Sequence, residues 1–165
     1  MDKTKAVIAY IINYFQCNDS AKNLGKVKLV KILWFTDREF MHKYYKQLTS
    51  LEYRKMPHGP MPTKIDTLLE SMEKEGIIKT FEVSNFGYSQ KSFLCLQEPD
   101  LNLFTPQEIS VLDKIITEFQ NKSAKALSTQ THDELWESIE QGKIMPLESV
   151  FLQDIIPATQ DDVNG

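Results

Sequence analysis

The stretch from Lys26 to Pro62 reads KVKLVKILWFTDREFMHKYYKQLTSLEYRKMPHGPMP, and it decides the fold. Its first part predicts a long amphipathic helix from about Lys26 to Gln47, because apolar side chains recur every three or four residues. They form two adjacent stripes, Leu29, Leu33, Phe40 and Tyr44 on one and Val30, Trp34, Met41 and Tyr45 on the other. Since these stripes cover more than half of the circumference, we expect neighbours to pack on two sides of this helix.

Asp37 interrupts the first stripe, one turn after Leu33 and three residues before Phe40. Its carboxylate therefore points at or near the core, where an ionised acid is costly unless it is paired or hydrogen-bonded. We expect a structural acid that caps a neighbouring segment or pairs with a basic residue such as Arg54. A catalytic role is not expected, because no second acid, histidine or nucleophile stands at a helical spacing that would form a working pair.

The elements on either side of this stretch follow from periodicity and turn residues. Residues 4–16 predict a first helix, and residues 51–56 predict a short strand. Three prolines within six residues then favour a turn through Gly59 and Pro60, followed by a helix from about Pro62 to Glu75. Next come two strands, 77–83 and 92–96, around a turn. With the strand 51–56 they predict an antiparallel sheet of two or three strands.

The last third of the sequence returns to helical patterns. A capping box at Thr105–Glu108 opens one helix, a shorter helix starts at Ser123, and a second capping box at residues 131–134 opens a helix that ends at Gly142. The fold class predicted is α+β and predominantly α-helical, with about six helices, the small antiparallel sheet and a winged-helix-like middle portion. We expect one domain over residues 1–142 and a C-terminal extension, 143–165, whose last part is flexible.

Length and composition fit a single cytoplasmic domain. At 165 residues with 41% hydrophobic side chains, the chain is long enough to bury its own core. No apolar run approaches ~18 residues, so we expect no membrane span. The N-terminal stretch predicts an amphipathic helix rather than a signal peptide, and the two distant cysteines, Cys17 and Cys95, are typical of reduced thiols.

Charge is distributed unevenly along the chain. Residues 22–64 hold ten Lys and Arg against three Asp and Glu, whereas residues 98–165 hold four against thirteen. The asymmetry indicates either a charged surface for a partner or two solvated faces that attract each other. The helix, strand, turn and strand after Pro62 also follow the order of a winged helix, so a DNA-binding regulator is an alternative. Against it, residues 62–75 are acidic towards their end and would repel phosphates.

The sequence carries no signature of catalysis or metal binding. It has no phosphate-binding glycine loop, no zinc-ligand spacing and no nucleophile elbow. The three histidines, His42, His58 and His132, are scattered, so a metal site would need them to meet by coincidence. We therefore expect no enzyme, no cofactor and no metal.

Three patches, taken in order, resemble the Panacea-domain family, the SocA-like antitoxins of bacteria and their phages, which are related to the phage-associated GepA proteins. Residues 28–37, KLVKILWFTD, are similar to the family's KLxKLLYFAD helix. Residues 58–62, HGPMP, are similar to its Gly-Pro-Val-Pro turn, and residues 131–136, THDELW, to its Thr-His-x-x-x-Trp motif. Trp34 replaces the usual tyrosine and Thr36 the usual alanine. The resemblance spans roughly residues 6–140.

This resemblance implies a mostly helical domain that neutralises a toxin encoded beside it by binding that toxin directly. It implies no catalytic residues, and it does not name the toxin, because members are paired with toxins of unrelated kinds. An adaptor that delivers its partner to a protease is a further alternative, and the sequence leaves a homodimer open.

Candidate site residues fall into two groups. We expect the residues that carry the family motifs to be structural: Trp34, Asp37, Gly59, Pro60, Thr131, His132 and Trp136. Contacts with the toxin are expected from exposed residues, namely a basic face and several aromatics: Lys28, Lys31, Arg38, Lys43, Tyr44, Tyr45, Phe86 and Tyr88. Exposed aromatics are good interface anchors, although core packing explains any one of them equally well.

Overall fold

A computed structural model describes residues 1–18, 20–85, 87–123, 126 and 134–154. Within these ranges the helices are α1 (Lys3–Cys17), α2 (Lys26–Tyr44), α3 (Ile65–Lys74), α4 (Pro106–Phe119) and a short helix, Glu134–Ser138. The strands are β1 (Tyr53–Met56), β2 (Gly59–Pro62), β3 (Ile78–Asn85) and β4 (Tyr88–Cys95), and 3-10 helices cover Ala21–Asn23, Leu101–Leu103 and Leu147–Asp154. The predicted α+β class with mainly helical structure is confirmed.

Helix α2 lies at the centre of the core, as its two apolar stripes predict. Its buried apolar side chains are Leu29, Val30, Ile32, Leu33, Trp34, Phe40 and Met41. Helix α2 is contacted by helices α1 and α4, by strand β2 and by the segment Leu147–Asp154. Within the described ranges, no helix combines the length and the apolar character needed to cross a membrane.

Two separate two-stranded antiparallel sheets take the place of the single sheet predicted from the sequence. β3 pairs with β4 along its whole length, which confirms the predicted hairpin. β1 pairs instead with β2, where Tyr53 lies opposite Pro62. Gly59 and Pro60 therefore lie in a strand, not in the predicted turn, and α3 begins at Ile65 rather than at Pro62. Prolines fit here because β1 is the one strand neighbour of β2 among the described residues, and an edge strand tolerates a missing N–H donor.

Helix α4 begins at the predicted capping box, which is confirmed. The Thr105 hydroxyl accepts a hydrogen bond from the Glu108 N–H at 3.2 Å, and the Glu108 carboxylate accepts one from the Thr105 N–H at 2.7 Å. Lys3 also donates to that carboxylate at 2.7 Å, which joins α1 to α4. The predicted helix from Ser123 and the second capping box lie largely outside the described residues.

The described part of the C-terminal segment packs on the core. Met145, Leu147 and Val150 are buried, and the Met145 N–H donates to the Tyr53 carbonyl at 2.8 Å. This segment therefore covers one side of α2 and one edge of β1. The predicted flexible end lies outside the described residues, and the domain boundary at residue 142 stays a prediction.

Candidate partner-binding surface

A buried carboxylate joins helix α2 to the segment that leads into β1. Asp37 is fully buried and accepts hydrogen bonds from the Thr49 N–H (2.9 Å), the Thr49 hydroxyl (2.5 Å), the Tyr53 hydroxyl (2.7 Å) and the Gln47 amide (3.2 Å). Burial raises the pKa of Asp37, while these hydrogen bonds act in the opposite direction. Because all four partners donate, the site matches the acceptor-only character of an ionised carboxylate. Asp37 thus holds residues 47–53 against α2.

Arg54 is not the partner of this acid, so the predicted pair is wrong. Its guanidinium donates to the Gly142 carbonyl at 3.1 Å and to Glu52 at 3.3 Å. Arg54 and Tyr53 are consecutive residues of β1, and successive side chains of a strand point to opposite faces. The Tyr53 side chain reaches the buried carboxylate, so Arg54 is directed away from it.

Other residues of the family motifs are also interior. Trp34 packs edge-to-face on Tyr53, with ring centroids 5.0 Å apart, and Gly59 and Pro60 are buried in β2. Aromatic pairs of this geometry stabilise a core beyond the area that they bury. The three residues are therefore closed to a partner.

Trp136 completes the set of motif residues that the structure describes. It is buried, its carbonyl accepts a hydrogen bond from the Lys55 ammonium at 2.6 Å, and the same ammonium lies 4.6 Å from the indole centroid. The cation–π contact and the hydrogen bond tie the short C-terminal helix to β1. Thr131 and His132 lie outside the described residues.

The expected exposure of the basic face of α2 is wrong for three of its four residues. Lys28, Lys31 and Arg38 are only 4%, 0% and 7% exposed, because α2 is covered by neighbours on several sides. The Lys28 ammonium donates to the Gln120 carbonyl at 2.6 Å, and the Arg38 guanidinium lies 5.4 Å from the Trp34 ring.

Lys31 is the most confined of the three. Its ammonium lies 3.5 Å from the Pro60 carbonyl oxygen, which is the limit of a hydrogen bond. Burial lowers the pKa of Lys31 to about 8, since the low-dielectric interior disfavours the charged form. The residue therefore costs stability at neutral pH and offers nothing to a partner.

The remaining predicted contacts on α2 gather at its C-terminal end. Lys43 is exposed, Tyr44 is 38% exposed and Tyr45 is 79% exposed. The Tyr45 ring stacks on Phe151, with centroids 5.4 Å apart and an interplanar angle of 14°. We call Tyr44, Tyr45 and Phe151 the aromatic end of α2. Phe151 was missed from the sequence because residues 143–165 were given no role, although the apolar run around it was visible.

The backbone of Tyr45 explains why α2 ends before the predicted Gln47. Tyr45 has φ 58°, and its N–H donates to the Met41 carbonyl at 2.9 Å, which terminates the helix. Left-handed backbone is normally the place of glycine, because a Cβ is strained there. Among the described residues, Lys64 is the one other non-glycine residue with positive φ.

The two remaining aromatic candidates belong to another element. Tyr88 begins β4 opposite Asn85 at the tip of the β3–β4 hairpin, and Phe86 lies outside the described residues. Tyr88 is therefore on the hairpin and not on α2. No cluster of His, Cys, Asp or Glu suited to a metal ion occurs in the parts of the chain that the structure describes.

The winged-helix alternative loses support at its recognition helix. The order α3, β3, β4 is present, but the exposed face of α3 carries Asp66, Glu70 and Glu73 with one basic residue, Lys74. Such a face would repel DNA phosphates, because binding to duplex DNA depends on neutralising them.

Comparison with known proteins identifies the family. A family model described as the Panacea domain of SocA-like antitoxins matches residues 29–137, which include most of α2, both hairpins, α3, α4 and most of the short C-terminal helix. No curated protein matches the chain. The match covers about two thirds of the sequence. It contains the three patches that suggested the resemblance, apart from Lys28, the first residue of the first patch. The chain therefore belongs to the SocA-like antitoxin family through its Panacea domain.

Proposed function

We propose that this chain neutralises a cognate toxin by direct protein–protein contact, and that the aromatic end of α2 forms part of the contact surface. Family membership supports a toxin as the partner. The observation that carries the choice of surface is Tyr45, a large aromatic side chain that is 79% exposed while its backbone holds a strained left-handed conformation.

Tyr45 has the properties of an interface anchor. Tyrosine and tryptophan dominate the binding energy of many interfaces, since they supply a large rigid area at a low entropic cost. Stacking on Phe151 favours one orientation of the ring before a partner arrives, which lowers the entropic cost of binding. A tyrosine in left-handed backbone is less stable than glycine by about 1 kcal/mol. The stability of the fold therefore does not explain why a tyrosine rather than a glycine occupies position 45.

The charge around the aromatic end indicates the complementary surface on the toxin. Lys43 stands in the last turn of α2, and Lys46 follows it in an exposed position. Lys43 is partly neutralised by Glu39 at 3.3 Å. We infer that the toxin presents an apolar pocket for Tyr45 with acidic groups at its rim, because rim charges steer association.

Tyr45→Gly tests this surface. The toxin is expressed from the reading frame beside the gene, alone and together with wild type or variant, and growth is followed. We expect wild type to restore growth, and Tyr45→Gly to weaken toxin binding at least ~10-fold and to lose much of the rescue. Its unfolding temperature is expected to change little, because relief of backbone strain offsets the lost stacking on Phe151.

Lys64→Gly is the matched control. It also places glycine at a position with left-handed backbone, φ 65°, but this position follows β2 in the sequence whereas Tyr45 precedes β1. It should rescue growth as well as wild type does. Equal binding by Tyr45→Gly and wild type would overturn the assignment of the surface. The proposed function itself would be overturned if the product of the neighbouring reading frame is toxic but wild type neither binds it nor restores growth.

A further inference from the structure

A basic cleft opens at the N-terminal end of α2, at the opposite end of the helix from Tyr45. Its volume is about 630 Å³, and its walls come from the 3-10 turn before α2, from β4 and from the residues that follow α4. Five lysines are among the lining residues: Lys22, Lys26, Lys28, Lys91 and Lys122. Among the described residues no acidic side chain lines the cleft, and the other polar side chains are amides and hydroxyls.

Lys28 places a buried positive charge at this cleft. The residue is only 4% exposed, yet its ammonium is held by neutral groups, the Gln120 carbonyl at 2.6 Å and the Phe15 ring at 5.3 Å. In the described part of the chain, no carboxylate forms an ion pair with it. Burying a charge that no opposite charge compensates is costly. An anion in the cleft would supply that compensation.

Within the described ranges, the acids beside these lysines leave most of the positive potential of Lys22, Lys28 and Lys91 in place. Lys26 pairs with the exposed Asp66 at 2.8 Å, and Lys91 lies opposite Glu82 in the β3–β4 hairpin. Neither acid lines the cleft. The N-terminus of α2 adds to the potential, because Gly25 provides no side-chain cap and the helix dipole is positive at this end.

The lining favours carboxylates over nucleic acid as the anion. No aromatic side chain lines the cleft in the described residues, whereas proteins that hold single-stranded nucleic acid stack its bases on aromatic rings. A concave site of this volume admits a few side chains of a peptide but not a rigid duplex. Lysine ammonium groups with neutral amide donors are suitable partners for Asp and Glu side chains.

We propose that this cleft receives an acidic polypeptide segment of the partner protein. The inference rests on the proposed function and assigns a chemical property to the toxin, a run of Asp and Glu that reaches the N-terminal end of α2. Helix α2 has 19 residues, which corresponds to about 28 Å. A partner that also contacts Tyr45 therefore spans the whole helix.

The test uses the full chain and a fluorescein-labelled hexaglutamate peptide, followed by fluorescence anisotropy at low salt. Lys22→Glu/Lys91→Glu is expected to weaken peptide binding at least ~10-fold, since two attractions become repulsions. Lys22→Gln/Lys91→Gln should give an intermediate loss. The matched control, Lys74→Glu/Lys79→Glu, changes net charge equally at exposed sites outside the cleft and should stay within ~2-fold of wild type. Thermal unfolding of each variant shows that it is folded.

Two outcomes would overturn the cleft as a peptide site. One is an equal loss of binding in the control and the cleft variants, which would show an effect of net charge alone. The other is tighter binding of a 20-base-pair DNA duplex than of hexaglutamate, which would assign the cleft to nucleic acid.

The same variants are then titrated with the purified toxin, which separates this inference from the proposed function. Toxin that binds wild type and Lys22→Glu/Lys91→Glu equally would overturn the cleft assignment and leave the antitoxin function intact. Toxin that binds no version of the chain would overturn the antitoxin function, and the peptide titration would still decide whether the cleft takes acidic segments.

Discussion

Replacing Asp37 with alanine is expected to lower the free energy of unfolding by about 4 kcal/mol, the largest loss among the substitutions considered. The change would leave the Thr49 N–H and hydroxyl, the Tyr53 hydroxyl and the Gln47 amide without their acceptor in the interior. An unsatisfied buried donor costs about 1–3 kcal/mol, and a broken buried charged network costs about 3–5 kcal/mol. For a domain of this size the unfolding temperature should fall by roughly 10 °C.

Urea unfolding of Asp37→Ala and of Asp37→Asn measures this network. Asparagine keeps the shape and one acceptor oxygen but turns an amide donor towards donor groups, so we expect a smaller but clear loss. Asp66→Ala is the control, because Asp66 is an exposed acid whose removal should change the free energy by less than about 0.5 kcal/mol. A loss under about 1 kcal/mol for Asp37→Ala would contradict the structural role of this carboxylate.

Lys31→Met is expected to stabilise the protein at pH 7 by up to about 3 kcal/mol. The Lys31 ammonium is fully buried and its polar contact, to the Pro60 carbonyl, is long. A pKa lowered from 10.5 to about 8 corresponds to about 3 kcal/mol against the charged form in the folded state. Methionine has a similar length and shape without the charge, so it removes the desolvation cost while it fills the same space.

The advantage of Lys31→Met over wild type should depend on pH. Between pH 8 and 10.5 the unfolded wild type binds a proton that the folded protein has released, so the stability of wild type rises with pH in this window. Below pH 8 both states are protonated and the full penalty applies. Chemical unfolding at several pH values from 6.5 to 10 should therefore show the difference between variant and wild type shrinking above pH 8.

Lys79→Met provides the comparison for Lys31. Lys79 is exposed, so the same substitution there should change the free energy of unfolding by less than about 0.5 kcal/mol. A Lys31→Met protein that is less stable than wild type at pH 7 would show that the ammonium is bound more favourably than its contacts indicate. A difference that is constant with pH would contradict the lowered pKa.

Local patterns predicted most of the fold. The two apolar stripes placed α2 at the centre, the capping box at Thr105–Glu108 fixed the start of α4, and the change of period after Gly76 predicted the β3–β4 hairpin. Each of these signals acts within a few residues of the chain. The β1–β2 hairpin was missed because prolines disfavour strands in general, whereas Pro60 and Pro62 lie in a strand that pairs on one side.

Which side chains of α2 are exposed was harder to predict, because burial depends on contacts between distant segments. Lys28, Lys31 and Arg38 were expected to be exposed by residue type, since such side chains are mostly on the surface. They are buried because α4, β2 and residues 147–154 cover α2. The lysines of the basic cleft come from three separate parts of the sequence, so no local motif predicts the cleft. Tyr44 and Tyr45 were among the candidates because exposed aromatics are good interface anchors, although both also continue the apolar stripes of α2.

Inhibition of the purified toxin by the purified chain tests direct neutralisation most directly. The toxin's own activity is measured with increasing amounts of wild type, in a mixture that contains no protease and no other protein. We expect the activity to fall in proportion to added chain until the two are stoichiometric, and we expect Tyr45→Gly to require a higher concentration. Full toxin activity at saturating chain would contradict neutralisation by direct contact, and growth rescue alongside that result would point to delivery of the toxin to a protease.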